Sequence, residues 1–185
     1  MARLVLLDRD GVLNQDKPEG ILRREEFRLL PGAAQAVAQL TRAGFRIAIC
    51  TNQSAIARGL LATQELEAMH AILRDAVAAA GGKIDEIYVA PDLPDAPSTR
   101  RKPAPGMLLE ALASFDAKPQ ESFMVGDMLR DLEAAYAAGC PRILVRTGKG
   151  AATEARGIPA HLAPVAVVDH LPAAVEYILT FAKRG

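Results

Sequence analysis

The sequence predicts an α/β fold of three layers, a mostly parallel sheet with helices covering both faces. Three observations carry that reading. Short apolar runs alternate along the whole chain with segments of helical period. The runs are continuous, not alternating, as befits strands buried on both faces. Glycine or proline punctuates almost every change. Strand and helix in alternation imply parallel pairing through right-handed crossovers. A length of 185 residues suits one compact domain, 1–185.

Taken in order, RLVLL at 3–7 is a buried strand closing on Asp8, and FRIAIC at 45–50 is another closing on Thr51. Between them Ala33, Val37, Leu40 and Ala43 share one helical face, with Pro31 ahead and Gly44 as a stop. A second helix spans about 63–80, opened by a shifted capping box at Thr63–Leu66 and ended by Gly81-Gly82. A strand follows at 84–90. Residues 91–105 (PDLPDAPSTRRKPAP) hold five prolines and form a loop. Then come a helix at 106–115, a strand at 122–125 ending at Gly126-Asp127, and a helix to Ala138 stopped by Gly139. Strands at 142–146 and 165–168 and an amphipathic helix from Leu171 to Lys183 complete the order.

Composition narrows function. Lys plus Arg and Asp plus Glu number 22 each, so the chain sets up no field to draw in nucleic acid or an anionic membrane. With 4% aromatics and no Trp it has little with which to stack bases. The opening MARLVLLDRDG meets charge too early for a signal peptide, and no run is long enough to cross a membrane. A cytoplasmic protein is expected, and without a coiled-coil seam, a monomer. Cys50 and Cys140 lack partners at metal-ligand spacing and read as small buried hydrophobes; His70, His161 and His170 read as structural or solvated.

In such sheets ligands bind beyond the carboxyl ends of the strands. The polar residues found there are Asp8 and Asp10, Thr51 and Asn52, Arg101 and Lys102, and Asp127. Singly each has an ordinary explanation: a surface DxD, a helix cap, a solvated loop, a turn. Together, each at a strand end, they combine carboxylates that repel unless a hard cation joins them with cations suited to phosphate. That is a Mg²⁺ and phosphoryl site. Gly11 lets the chain turn just after two aspartates whose i, i+2 spacing points both one way on an extended segment. One can attack phosphorus while the other moves a proton, dividing a very slow hydrolysis into two easier displacements.

DRDGV at 8–12, TN at 51–52, KP at 102–103 and GDMLRD at 126–131 resemble the four motifs of the haloacid dehalogenase superfamily of phosphatases, over nearly the whole chain. The resemblance implies a Rossmann-like core of this superfamily, with Asp8 as nucleophile and Asp10 as general acid and base. It makes Thr51 and Lys102 stabilisers of the transferred phosphoryl group. Asp8, the Asp10 main-chain carbonyl and Asp127 would hold Mg²⁺, with Asp131 in support. The gaps 14–44 and 54–100 are too short for a cap domain, so loops alone cover the site.

Longer strings, DRDGVLN, TNQSAIARG, RKPAPGML and LVRTGKG, are similar to the subgroup that cleaves the 7-phosphate from a heptose bisphosphate during lipopolysaccharide core precursor synthesis. This implies a small sugar bisphosphate as partner, contacted by Asn52, Gln53, Ser54 and Arg101, by the loop Asp16, Lys17, Pro18 and Glu19, and by Met128 beside the metal. Arg101 suits the phosphate that is kept, since its planar fork matches phosphate oxygens. Histidinol-phosphate phosphatases resemble the chain in the same motifs, and a non-catalytic binding protein on this fold is a further alternative. Members of the subgroup carry a Cys/His zinc loop before RKP; here APDLPDAPSTR has neither residue, so no zinc is expected and the prolines would stiffen the loop instead. Ala55 stands where glycine is usual and asks for ordinary dihedrals.

Overall fold

The computed structural model describes residues 2–182. Six strands form one parallel sheet: β1 (Arg3–Leu7), β2 (Phe45–Asn52), β3 (Glu86–Ala90), β4 (Phe123–Gly126), β5 (Arg142–Val145) and β6 (Val165–Val168). Their spatial order is β3-β2-β1-β4-β5-β6. The chain thus builds outward from β1 in one direction, returns, and builds outward in the other. The reversal opens a crevice beyond the carboxyl ends of β1 and β4, where Asp8 and Asp127 stand.

Alternation along β1 assigns the two faces, because successive side chains point to opposite sides of a strand. Val5 and Leu7 pack with α1 (Ala33–Arg42), α2 (Thr63–Ala79) and α6 (Leu171–Phe181) through Val37, Leu40, Met69, Leu73, Val175 and Ile178. Leu4 and Leu6 pack on the other side with α3 (Gly106–Ser114) and α4 (Leu129–Ala138) through Met107, Leu108, Ala111 and Ala135. Cys50 and Cys140 lie buried in this second layer, and burial pushes both thiols up to about 12. No helix among the described residues is long and apolar enough to cross a membrane.

Several expectations change in detail. Strand β2 runs on through Thr51 and Asn52, so both belong to the strand. The capping box at Thr63 does not form: Ala62 is the N-cap residue, Thr63 already lies in the helix, and the Glu65 carboxylate is taken by Arg24. The short helix α5 (Gly150–Ala155) has too few residues to show a period in sequence. Of the predicted last helix, Lys183 lies outside the described residues. Ala55 avoids the left-handed region, as expected. The connection 8–32 carries one 3-10 turn, Arg24–Glu26, and 91–105 carries no helix or strand, so no separate cap is present among the described residues.

Leu6 is fully buried in β1, whereas Leu109 is 47% exposed on α3. Leu6→Ala is expected to lower stability by about 2–5 kcal/mol through the cavity it leaves, and Leu109→Ala by less than about 0.5 kcal/mol, measured by urea unfolding.

Candidate active site

The centre of the site is an ion cluster at the ends of β1 and β4. Asp8 leaves the sheet with its N–H on the Val125 carbonyl (2.9 Å), which ties the end of β1 to β4. Asp8 Oδ1 accepts from the Arg9 N–H (2.9 Å) and meets Lys102 Nζ at 2.9 Å. Oδ2 has no protein partner among the described residues. Lys102 Nζ also donates to Asp131 Oδ1 at 2.6 Å, and the Met128 N–H occupies Asp131 Oδ2 at 3.0 Å. Both oxygens of Asp131 are therefore engaged by protein donors.

Asp127 completes the cluster. Its Oδ2 accepts from the Lys149 N–H (2.8 Å), and its main-chain carbonyl accepts from Thr153 Oγ1 on α5 (2.9 Å). Gly11 (φ +83°) and Gly148 (φ +58°) pass so close that a Cβ on either would collide with Asp127 Oδ2. The glycines of DRDG and TGKG thus make room for this carboxylate as well as turning the chain.

One oxygen from each of Asp8, Asp127 and Asp131 falls within 4.8 Å of the others. Burial, then Asp131, pushes Asp8 up to about 6, against the pull of Lys102. Burial, then Asp8 and Asp131, pushes Asp127 up to about 8. Burial opposes the Lys102 charge, but Asp131 and Asp8 hold its pKa above the ordinary value. One ammonium cannot balance three carboxylates, and an all-oxygen donor set fits a hard divalent cation such as Mg²⁺. Cysteine and histidine are absent from it.

Asp10 does not share the direction expected for it. The strand stops at Leu7, and residues 9–14 fold into a turn on the Arg9 carbonyl, so the two aspartates diverge. Asp10 Oδ1 accepts from Arg9 Nη2 (2.9 Å), Arg9 Nε (3.2 Å) and Asn14 Nδ2 (2.8 Å); Oδ2 accepts from Gln53 Nε2 (2.8 Å) and Arg9 Nη2 (3.1 Å). Burial raises its pKa, yet Arg9, Asn14 and Gln53 outweigh burial and hold it below the usual carboxylate value. With its carboxylate turned to these donors, only its main-chain carbonyl is left to serve a metal.

The other predicted residues meet in one pocket of about 210 Å³, lined by Asp10, Asp127 and Met128, by Asp16, Lys17, Pro18 and Glu19, and by Asn52, Gln53, Ser54 and Arg101. Thr51 and Lys102 lie buried beside it. Gln53 links Thr51 Oγ1 to Asp10, at 2.8 Å to each. Asn52 bonds the Lys102 main chain through both Oδ1 (3.1 Å) and Nδ2 (2.9 Å), so its amide fixes the lysine before it can serve a ligand. Lys149 Nζ pairs with Asp16 (3.0 Å), which ties the 15–20 loop to the turn at 147–150, and Lys17 pairs with Glu26 (2.6 Å), which ties it to the 3-10 turn.

The sequence reading passed over Arg58, Arg130 and Lys149 in this lining. Arg58, Arg101 and Arg130 have no carboxylate within ion-pair distance among the described residues. Burial, then Arg130, lowers the Arg101 pKa, with Arg58 adding to it, so the three cations crowd one another. Only their place in TNQSAIARG and GDMLRD could have flagged Arg58 and Arg130. The 91–105 loop is fastened by hydrogen bonds: Ser98 Oγ to Asp92 Oδ2 (2.8 Å) and Arg101 Nη1 to the Asp92 carbonyl (2.9 Å). The histidines are structural: His170 caps α6 (3.2 Å), His161 lies edge-on to Tyr136 (5.7 Å), and His70 abuts Arg9 (3.4 Å).

The HAD-hydrolase-like family model matches residues 99–174, and that of the polynucleotide kinase 3 phosphatase matches 4–136. A D-glycero-β-D-manno-heptose-1,7-bisphosphate 7-phosphatase of Pseudomonas putida is 45% identical over 157 residues, 85% of this chain and 90% of the relative. This chain belongs to the haloacid dehalogenase-like hydrolases, in the heptose-1,7-bisphosphate 7-phosphatase family. A crystal structure of the Bordetella bronchiseptica family member, complexed with magnesium and phosphate, superposes with a TM-score of 0.91 at 41% identity, covering 97% of this chain and 99% of that one. The Burkholderia thailandensis member gives 0.74 at 37% identity over 96% and 99%.

The raised carboxylates make a prediction about pH. Because folded Asp8 and Asp127 hold protons more tightly than the unfolded chain does, the stability this confers is present below about pH 4 and fades as pH rises through their folded values. A divalent cation replaces those protons. The Mg²⁺-induced rise in Tm should therefore grow between about pH 5 and pH 8, checked by thermal denaturation at fixed Mg²⁺.

Proposed function

We propose that this chain is a Mg²⁺-dependent phosphatase that removes the 7-phosphate of D-glycero-D-manno-heptose 1,7-bisphosphate, acting as one cytoplasmic, monomeric domain. The observation that carries the reading is a single pocket in which a carboxylate cluster adjoins three guanidiniums with no acidic partner among the described residues, in a chain 45% identical to such a phosphatase. A substrate with two phosphates meets both needs. One phosphate lies against the cluster, and the retained one is held by Arg101 with Arg58 and Arg130 beside it.

In the first displacement Asp8 Oδ2 forms a bond to phosphorus as the bond from phosphorus to the sugar oxygen breaks. Asp10, ionised in the free site, takes up a proton as the substrate's negative charge arrives and gives it to that oxygen, which leaves as the alcohol. Lys102 and Thr51 face the non-bridging oxygens and stabilise their charge. In the second displacement water attacks phosphorus, Asp10 takes a proton from it, and the bond to Asp8 breaks. Inorganic phosphate leaves and the Asp8 carboxylate is restored. Mg²⁺ held by Asp8, Asp127 and the Asp10 carbonyl supplies charge neutralisation for the phosphoryl group. Asp131 keeps Lys102 aligned throughout.

The match to the polynucleotide 3-phosphatase model fits the same chemistry on a nucleic-acid end. Equal numbers of basic and acidic residues give no electrostatic reach for a polyanion, which favours the small sugar. Phosphate release with Mg²⁺ should show kcat/KM for the heptose bisphosphate at least about 100-fold above fructose 1,6-bisphosphate, the heptose 7-monophosphate, histidinol phosphate and a 3′-phosphorylated oligonucleotide. Chelation and Asp8→Asn should each abolish it. Preference for histidinol phosphate or the oligonucleotide would keep the chemistry and replace the substrate.

A further inference from the structure

Arg9 sits inside the first motif between two aspartates, and nothing in the two displacements just described uses its side chain. Yet it is among the most deeply buried charges in the molecule, with none of its side chain exposed. Its guanidinium grips Asp10 through Nε and Nη2, at 2.9, 3.1 and 3.2 Å. Its far nitrogen, Nη1, lies 3.4 Å from His70 Nε2 on α2, and its carbon lies 5.6 Å above the Phe27 ring. Arginine can only donate, so His70 Nε2 accepts and the imidazole is neutral. Burial and then Arg9 push the histidine down to about 4, which agrees.

Burying a guanidinium is costly unless its geometry is closely matched. Here the matching groups come from three places far apart in sequence: the motif turn, the 21–30 loop and α2. We propose that Arg9, braced by His70 and Phe27, is a positioning residue that fixes the Asp10 carboxylate in the orientation from which it protonates the leaving sugar oxygen. This rests on the phosphatase reading above. Arg9 bonds mainly to Oδ1, while Oδ2 lies beside Gln53 and through it Thr51. The fork thereby pins Oδ1 against the motif turn and fixes Oδ2 beside Gln53, where both residues line the pocket.

The test separates proton delivery from every other step. A sugar alkoxide needs a proton to leave, whereas nitrophenolate leaves without one, and kcat/KM reports the first displacement for both. For wild type and Arg9→Met, kcat/KM would be measured on heptose 1,7-bisphosphate and on p-nitrophenyl phosphate. The ratio of sugar to aryl phosphate should fall on the order of 100-fold, the scale of lost general-acid catalysis. Arg9→Lys keeps the charge but loses the fork, so its ratio should fall less far; His70→Ala should shift the ratio in the same direction. These two variants decide the matter if Arg9→Met does not fold. Equal losses on both substrates, leaving the ratio within about threefold of wild type, would overturn the assignment. Wild-type protein inactive on both would instead refute the phosphatase reading.

Discussion

Everything in this site depends on one buried ammonium placed between two carboxylates, Asp8–Lys102–Asp131. Lys102 arrives from the proline-rich loop, Asp8 from β1 and Asp131 from α4, so the contact joins three elements at the crevice where the sheet order reverses. Removing any partner would leave an uncompensated buried charge, which is far costlier than the pair is stabilising. The same contact sets the chemistry. It occupies Asp8 Oδ1 and leaves Oδ2 without a partner among the described residues, and with Asp127 it leaves a surplus of negative charge that a divalent cation would relieve.

The surroundings can be understood as supports for that contact. Asn52 holds the main chain of Lys102, the Met128 N–H holds Asp131, and Gly11 and Gly148 clear the space Asp127 fills. Gln53 and Arg9 carry the order outward to Thr51 and Asp10. Residues 91–105, which contain no Cys or His, are fastened through Asp92, Ser98 and Arg101. The side chains around the pocket are thus mostly paired with one another. Arg58, Arg101 and Arg130 line it without an acidic partner among the described residues, which is why we propose that they hold a second phosphate.

Much of this was legible in the residues. The strands read clearly because each is a continuous apolar run, and the residue just after a run is fixed in place by the strand before it; hence Asp8, Thr51 and Asp127 could be placed. Lys102 was legible through its motif and the loop's prolines. What could not be read depends on side-chain direction beyond the strand end. The i, i+2 rule failed for Asp10 because the chain turns on the Arg9 carbonyl immediately after β1. Arg9, Arg58 and Arg130 drew no assignment, since sequence carries no sign of which arginine lacks an acid or lies against Phe27. Helix α5 escaped because six residues cannot display a helical period.

The central claim is that the Asp8 carboxylate itself takes the phosphoryl group before water does. Stereochemistry at phosphorus tests this without a variant. Each in-line displacement inverts phosphorus, so two in succession restore its configuration. With heptose bisphosphate made chiral by oxygen isotopes and thiophosphate substitution at the 7-phosphate, the account predicts net retention in the released product. Net inversion would mean that water attacks the substrate directly and would contradict a covalent role for Asp8.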